Sequence, residues 1–300
     1  MTARTGPSWW RTCRCRSSPK PSTRCGGCPE MPGITGTTRL FAVLGDPVDQ
    51  VRAPELLNPL FDRLGRDAVL FPVHATPQHL AGIVRGLCRV GNLDGLLVTV
   101  PHKIEICRFA DELSHAARIS GCANALRREP GGRWLADNFD GAGFVRGLRG
   151  RGHDVTGRRV ALVGAGGAGA AIAAALLDAG VGHLTIGDLD RARLDHVHTR
   201  LDRLWPGRVT CETAPRLDGV QFAVNATPLG LRPEDPLPFE PSALAPDCVV
   251  ADIIMKPRET RLLRTAAELG HPVHHGNHML DEQLELYRGF FHLDDAPLTR

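Results

Sequence analysis

Apolar residues along this chain fall into two kinds of run. Leu40 to Leu44, Ala68 to Val73, Leu96 to Val100, Val160 to Val163, His183 to Ile186, Phe222 to Ala226 and Cys248 to Ile254 are short and nearly uninterrupted, the pattern of buried strands. Between them, apolar positions recur at helical spacing. Such stretches run from Pro54 through Phe61 and Leu64, from Leu80 to Leu87, from Ala170 to Gly180, and from Glu259 to Leu269 with Gly270 as the stop. A last stripe comprises Met279, Leu280, Leu284, Tyr287, Phe290 and Phe291, interrupted by one amide, Gln283. Strands alternating with helices predict an α/β protein of parallel sheets covered on both faces.

The strand Val160 to Val163 runs into Gly164-Ala165-Gly166-Gly167-Ala168-Gly169, and a small-residue helix follows. Gly164, Gly166 and Gly169 fit G-x-G-x-x-G, in which glycine permits a tight turn, close approach of backbone to a pyrophosphate, and close packing of helix on strand. Free N–H groups at the helix start favour phosphate. Asp188 ends the next strand, about 20 residues on, where a ribose-binding carboxylate belongs. The second half therefore reads as a Rossmann-type dinucleotide-binding domain, with Gly164, Gly166, Gly167, Ala168, Gly169 and Asp188 at the cofactor. Ligands in such sheets lie beyond the carboxyl ends of the strands, so the loops at 45–53 and 99–103 should face one cleft.

Three hundred residues suggest about two domains. We expect residues 1–37 to be a disordered tail or a mis-called start with translation beginning at Met31, because Pro, Ser, Gly and Arg dominate without periodicity. An Arg-rich, acid-poor N-terminus also fits a transit peptide. Residues 38–141 read as the substrate-binding and catalytic domain, 142–275 as the dinucleotide-binding domain, and 276–300 as a C-terminal helix packing on the first. The net charge of +3 misleads, since residues 1–30 hold six basic residues against Glu30, and the rest carries 30 basic and 32 acidic side chains. Nothing there calls for nucleic acid. No apolar run approaches the ~18 residues of a membrane span. The expectation is a soluble, cytoplasmic monomer or homodimer acting on a small molecule. Of nine cysteines, four (Cys13, Cys15, Cys25, Cys28) lie in the tail, where a zinc site could be drawn without any packed element around it. The others fit buried thiols in a reducing compartment, and no metal site is expected.

Only three of the 36 basic residues are lysines: Lys20, Lys103 and Lys256. Lys103 follows a buried strand and Pro101, and an amine can release a proton where a guanidinium cannot. Asp140, in the loop Asp137 to Gly143, is a carboxylate at the same cleft; it could equally cap a helix. Together they suit proton transfer coupled to hydride transfer at a carbinol.

The ordered chain from about 41 to 291 resembles the shikimate/quinate dehydrogenase family. The likeness is carried by Gly45-x-Pro47 with Pro54 and Asn58, Val98 to Lys103, Gly121-Cys122-Ala123-Asn124, Asn138 to Gly141, Asn225-Ala226-Thr227-Pro228, Asp252 to Pro257, and Gly276 to Gln283. The resemblance implies an N-terminal substrate domain, a nucleotide domain, and C-terminal helices returning to the first. It makes Lys103 and Asp140 the catalytic pair, puts Thr99, Asn124 and Gln283 on the substrate, and adds Asn225, Thr227 and Gly276 at the cofactor. The implied activity is reversible hydride transfer between the nicotinamide of NAD(P) and a ring hydroxyl of a hydroxylated cyclic acid such as shikimate or quinate.

The departures lie at one end of that site. The family's usual His-Ser-x-Ser, whose hydroxyls bind the substrate carboxylate, is here Gln50, Val51, Arg52 and Ala53. Leu97, Ala125 and Met255 replace the usual Asn, Thr and Tyr. A missing donor to a buried charged group costs about 1.5–3 kcal/mol, so two such losses weaken shikimate binding by orders of magnitude unless Gln50, Arg52 or another group compensates; the reaction type is implied, the substrate is not. Where NADP-using members place Asn-Arg-Thr, this chain has Asp188-Leu189-Asp190, which favours NAD by repelling a 2′-phosphate; NADP remains possible through Arg191 and Arg193. Two other functions stay open: an orphan paralogue acting on another polyol acid, and a non-catalytic dinucleotide-binding redox sensor. The Lys103/Asp140 pair argues against the sensor.

Overall fold

The computed structural model describes residues 33–295, so the four tail cysteines and the proposed zinc grouping lie outside the described residues. Order starts earlier than residue 38. Thr35 opens a turn, and the hydroxyls of Thr37 and Thr38 donate to Asp67 at 2.7 and 2.6 Å.

The first sheet is built from β1 (Arg39–Gly45), β2 (Ala68–His74), β3 (Leu93–Val98), β4 (Glu112–Leu113), β5 (Ala125–Arg128) and β6 (Trp134–Asp137), in the order β2-β1-β3-β5-β6-β4. Helices α1 (Ala53–Arg63), α2 (Leu80–Leu87) and α3 (His115–Ser120) accompany it. The periodicity predicts a parallel sheet, and β1, β2 and β3 comply. β5, however, runs antiparallel to both β3 and β6. These four-residue strands are too short to show a period in sequence, and the hairpin between them puts Asn124 and Asp137 side by side, with Asn124 N–H donating to Asp137 O at 3.0 Å.

A second correction concerns the loop expected at 137–143. Asp140 is instead the first residue of α4 (Asp140–Gly150), which leads from the first sheet to the second. Its glycines hide it from a propensity reading, yet packing requires them. A Cβ on Gly141 would stand 2.2 Å from Ala171 O, and one on Gly143 2.7 Å from Met279 O.

The second sheet comprises β7 (Arg159–Val163), β8 (His183–Gly187), β9 (Val209–Glu212), β10 (Phe222–Asn225), β11 (Val249–Asp252) and β12 (Val273–His274), all parallel in the order β12-β11-β10-β7-β8-β9. It is flanked by α5 (Gly167–Asp178), α6 (Arg191–Asp202) and α7 (Arg261–Glu268). The chain then returns through α8 (Asn277–Phe290), whose Tyr287 and Phe290 join Phe41, Phe61 and Phe139 in the core of the first sheet. The ring of Phe139 meets Tyr287 and Phe290 edge-on at 5.4 and 5.2 Å, so α8 is pinned beside the residue preceding Asp140.

Candidate active site

Lys103 sits on the loop that leaves β3. Two contacts fix that loop against the loop after β1: Thr99 N–H donates to Leu44 O at 2.9 Å, and Asp46 N–H to Val100 O at 3.0 Å. Lys103 is anchored from both sides. The neighbouring His102 is buried with a ring nitrogen against Ala75 O, and the Lys103 carbonyl accepts from Ala123 N–H at 2.7 Å. Its side chain is thereby aimed across the cleft, and Nζ donates to Asp140 Oδ2 at 2.6 Å.

The pair is nearly dry, with side-chain exposures of 13% and 3%. Two buried charges are tolerated only where further hydrogen bonds satisfy them. Asn124 Nδ2 and Gln283 Nε2 both donate to Asp140 Oδ1, at 3.0 and 3.1 Å. Asn138 Oδ1 accepts the Asp140 backbone N–H at 2.9 Å, and Asn124 Oδ1 accepts that of Phe139 at 3.0 Å. Asp140 also stands in the first turn of α4, where the helix dipole favours a negative charge. Gln283 is held in turn by Tyr287, whose hydroxyl donates to Oε1 at 3.1 Å. Burial first, and then the Asp140 charge, raise that phenol well above its usual pKa, so it stays a donor.

The sequence brings Lys103 and Asp140 to one cleft and the family resemblance adds Asn124 and Gln283 on the substrate; the structure joins all four by hydrogen bonds. Tyr287, the only tyrosine in the chain, read merely as part of an apolar stripe. Its spacing of four residues from the lone amide was the available signal. Cys122 was missed too. Its thiol, pushed up to about 12 by burial, donates to Gly167 O at 2.9 Å and takes Asn138 Nδ2 at 3.2 Å. It ties the asparagine of the aspartate loop to the glycine turn. Thr99 is half-buried at the mouth, its methyl against Gly45. Gln50 is turned away: it is exposed, and its amide donates to Pro47 O of its own loop at 3.0 Å.

The glycine turn has the shape a pyrophosphate needs. Gly164 adopts φ +112°, and a Cβ there would lie 2.6 Å from the Ala226 carbonyl carbon. Gly169 packs so closely that its Cβ would fall 1.9 Å from Gly164 O, whereas nothing stands within 4 Å of a Cβ on Gly166. Open space before that backbone and free N–H groups at the start of α5, including that of Ala168, fit a phosphate-bearing cofactor. Asn225 and Thr227 serve the neighbouring loop: Asn225 Oδ1 accepts from Thr227 N–H and Oγ1 at 3.0 and 2.7 Å, and its amide donates to Asp252 Oδ1 at 3.1 Å. Gly276 sits against the carbonyls of Ile253 and Ile254. Asp188 directly follows β8; its Oδ2 accepts Ala165 N–H at 2.7 Å and its Oδ1 accepts Asp190 N–H at 2.9 Å. Each oxygen keeps a second lone pair. Arg191 faces Asp195 on α6 and Arg193 faces Asp190, which caps the start of that helix, both at 3.1 Å.

Among the described residues no His/Cys/Asp/Glu group could hold a metal ion, and no helix is long and apolar enough to cross a membrane. Residues 43–126 match the model of the shikimate dehydrogenase substrate binding domain. A shikimate dehydrogenase (NADP(+)) of Rubrobacter xylanophilus is 39% identical over 264 residues, covering 86% of this chain and 90% of that protein. Among solved structures, the quinate dehydrogenase of Corynebacterium glutamicum in complex with NAD superposes with TM-score 0.74 at 28% identity, covering 86% of this chain and 93% of its own. The 5-ketofructose reductase of a Gluconobacter strain gives 0.75 at 26% identity, covering 85% and 92%.

Proposed function

This chain belongs to the shikimate dehydrogenase family, and from that premise we propose that it is an NAD(P)-dependent dehydrogenase that interconverts a ring hydroxyl and the matching ketone of a polyhydroxylated cyclic acid. The observation that carries the reading is the buried Lys103–Asp140 pair at 2.6 Å, held by two amides beside the glycine turn. When bound, the nicotinamide takes or returns the hydride. The protein's own task is the proton. Lys103 and Asp140 act as one proton-transfer pair: they take the hydroxyl proton as the ketone forms and return it in reduction. Asn124 and Gln283 keep Asp140 from swinging into the cleft, and Thr99, at the mouth, is positioned to touch the substrate. The turn Gly164 to Gly169 would hold the dinucleotide's pyrophosphate, Asp188 would meet its ribose, and Asn225, Thr227 and Gly276 would complete the cofactor site. NAD is preferred to NADP, because Asp188 meets a 2′-hydroxyl better than a phosphate and Leu189, 91% exposed, supplies no charge.

A second reading takes a neutral polyol as substrate. It rests on the similarity to the ketofructose reductase and on Val51 and Ala53, which have no side-chain donor. The test is a panel of shikimate, quinate and 5-ketofructose with NAD(H) and NADP(H), followed at the nicotinamide absorbance band. Turnover of shikimate or quinate that Lys103→Ala removes supports the first reading. Turnover of the ketose alone moves the chain to the second, and reduced-cofactor binding without turnover of any of them sinks both.

A further inference from the structure

A cavity of about 590 Å³ lies where the end of β12, the start of α8 and the loop before α1 meet, a volume usual for a small-molecule site. Arg52, Arg151, Arg258, His274, His275 and His278 line it, and no carboxylate does. Acids stand only at its margin: Glu259 is 2.6 Å from His275, Glu55 is 3.9 Å from Arg52 and Asp281 is 4.0 Å from His278. Two atoms of the lining residues are buried without a hydrogen-bond partner, Nε2 of His274 and Oδ1 of Asn277. His274 is only 2% exposed. Burial, and then the surrounding His278, His153, His275 and Arg151, lower its pKa to about 3. The ring is neutral, with an unspent nitrogen on a wall of cations. An unpaired polar group in such a place is costly unless something meets it.

The cavity and the proton-transfer pair share helix α8, which lends Asn277 and His278 to the one and Gln283 to the other. Asn277 on the cavity wall is six residues from Gln283, roughly 9 Å along the helix axis. Arg52 comes from the loop after β1, immediately before α1. Its neighbours Val51 and Ala53 offer no side-chain donor, and Gln50 donates to Pro47 O, so of residues 50–53 only Arg52 turns a charged donor to the cavity. A guanidinium presents a planar fork that matches a carboxylate with two parallel N–H bonds.

We propose that this cavity receives the carboxylate of the substrate, and that Arg52 and Arg258 select an acid over a neutral polyol. The inference rests on the dehydrogenase reading above and specifies how its substrate is held. Arg151, already bonded to His278 Nδ1 at 3.0 Å, lends charge from behind, and His274 adds a neutral donor in its Nε2-protonated tautomer.

Calorimetric binding of shikimate and of quinate to the cofactor-saturated protein, together with kcat and KM for both acids and for 5-ketofructose, tests this on wild type, Arg52→Gln and Arg258→Gln. Melting temperatures serve as the check on folding. Each variant should weaken the better-bound acid about 10- to 100-fold in Kd and KM with kcat little changed, the usual consequence of losing one charged hydrogen bond. Arg52→Lys should recover part of the loss, and the KM for 5-ketofructose should not move. Acid affinity unchanged in both Gln variants, or absent from wild type, overturns the proposal. So does a wild type that prefers the neutral ketose, an outcome that leaves it a dehydrogenase. Acid binding lost in Arg52→Gln with no turnover of any substrate upholds the acid site and removes the dehydrogenase reading instead.

Discussion

Two polar clusters share helix α8 and are built on opposite principles. Around Asp140, a carboxylate is met by one ammonium and two amides, and the second amide is steadied by a phenol. Charge is balanced and every polar side chain has a partner. Around His274, cations and imidazoles face one another, and a buried nitrogen has no partner. The first cluster is complete in itself and can hold its geometry through repeated proton transfers. The second is incomplete and gains by meeting an anion. A protein that keeps its chemistry while changing what it recognises would be expected to guard the first and vary the second.

The hardest test of that contrast is removal of the balanced pair. Lys103→Ala and Asp140→Asn should each lower kcat about 10²- to 10⁴-fold with cofactor affinity retained, the range for a positioned acid–base group. Near-wild-type turnover in either variant would show that its residue is only structural. Asp188 is an intermediate case, a carboxylate with two backbone partners and lone pairs to spare. Wild type should favour NAD over NADP by roughly 10²-fold in kcat/KM, and Asp188→Asn combined with Leu189→Arg should reverse the direction of preference. A wild type that uses NADP better ends the argument from Asp188.

Gly143→Ala tests whether the balanced cluster depends on close packing. Its new Cβ would press on Met279 O at 2.7 Å and Gln283 Cγ at 2.8 Å. A loss of about 1–3 kcal/mol of stability should appear in denaturant melts, together with a fall in kcat as Gln283 is displaced. Unchanged stability would mean that α4 and α8 are free to part. The smallest effect probes the other cluster. A histidine whose pKa is lowered on folding takes up its proton more readily in the unfolded chain, so its neutral form stabilises the fold above pH 6.5 and the contribution is lost as pH falls through that value towards 3. The expected loss is about 1.4 kcal/mol by pH 5.5, and His274→Leu should flatten the pH dependence of the melting temperature over that interval. Equal slopes for the two proteins would show that His274 does not carry the titration.

Seven strands and most helices were legible in sequence, because apolar runs report on buried elements directly; Lys103 and Asp140 stood out by residue type and place, whereas Asn124 and Gln283 were expected from the family resemblance. Helix α4 was not: its glycines lower helix propensity, and the close contacts that demand them come from residues far along the chain. The β5–β6 hairpin was too short to show a period. Gln50 looked like a replacement donor because it holds the right place in the loop, but the loop's own fold turns its amide back on Pro47. The cavity was invisible for a related reason. Arg52, Arg151, Arg258 and the histidines are separated by up to 226 residues, and no local pattern announces that a fold will gather them.

Gly167 bears on how such a chain can diverge. A Cβ at that position would stand 3.0 Å from Lys103 Cβ and 3.7 Å from Cys122 Cβ, so the first residue of α5 and the lysine loop share one small gap. Grafting the second sheet of a relative onto this first sheet would keep the lysine in place only if the incoming turn also carries glycine there, or if the lysine loop yields by a few tenths of an ångström. In an exchange of nucleotide halves, a single carbon atom at this position therefore bears on the lysine loop before any difference in cofactor or substrate comes into play.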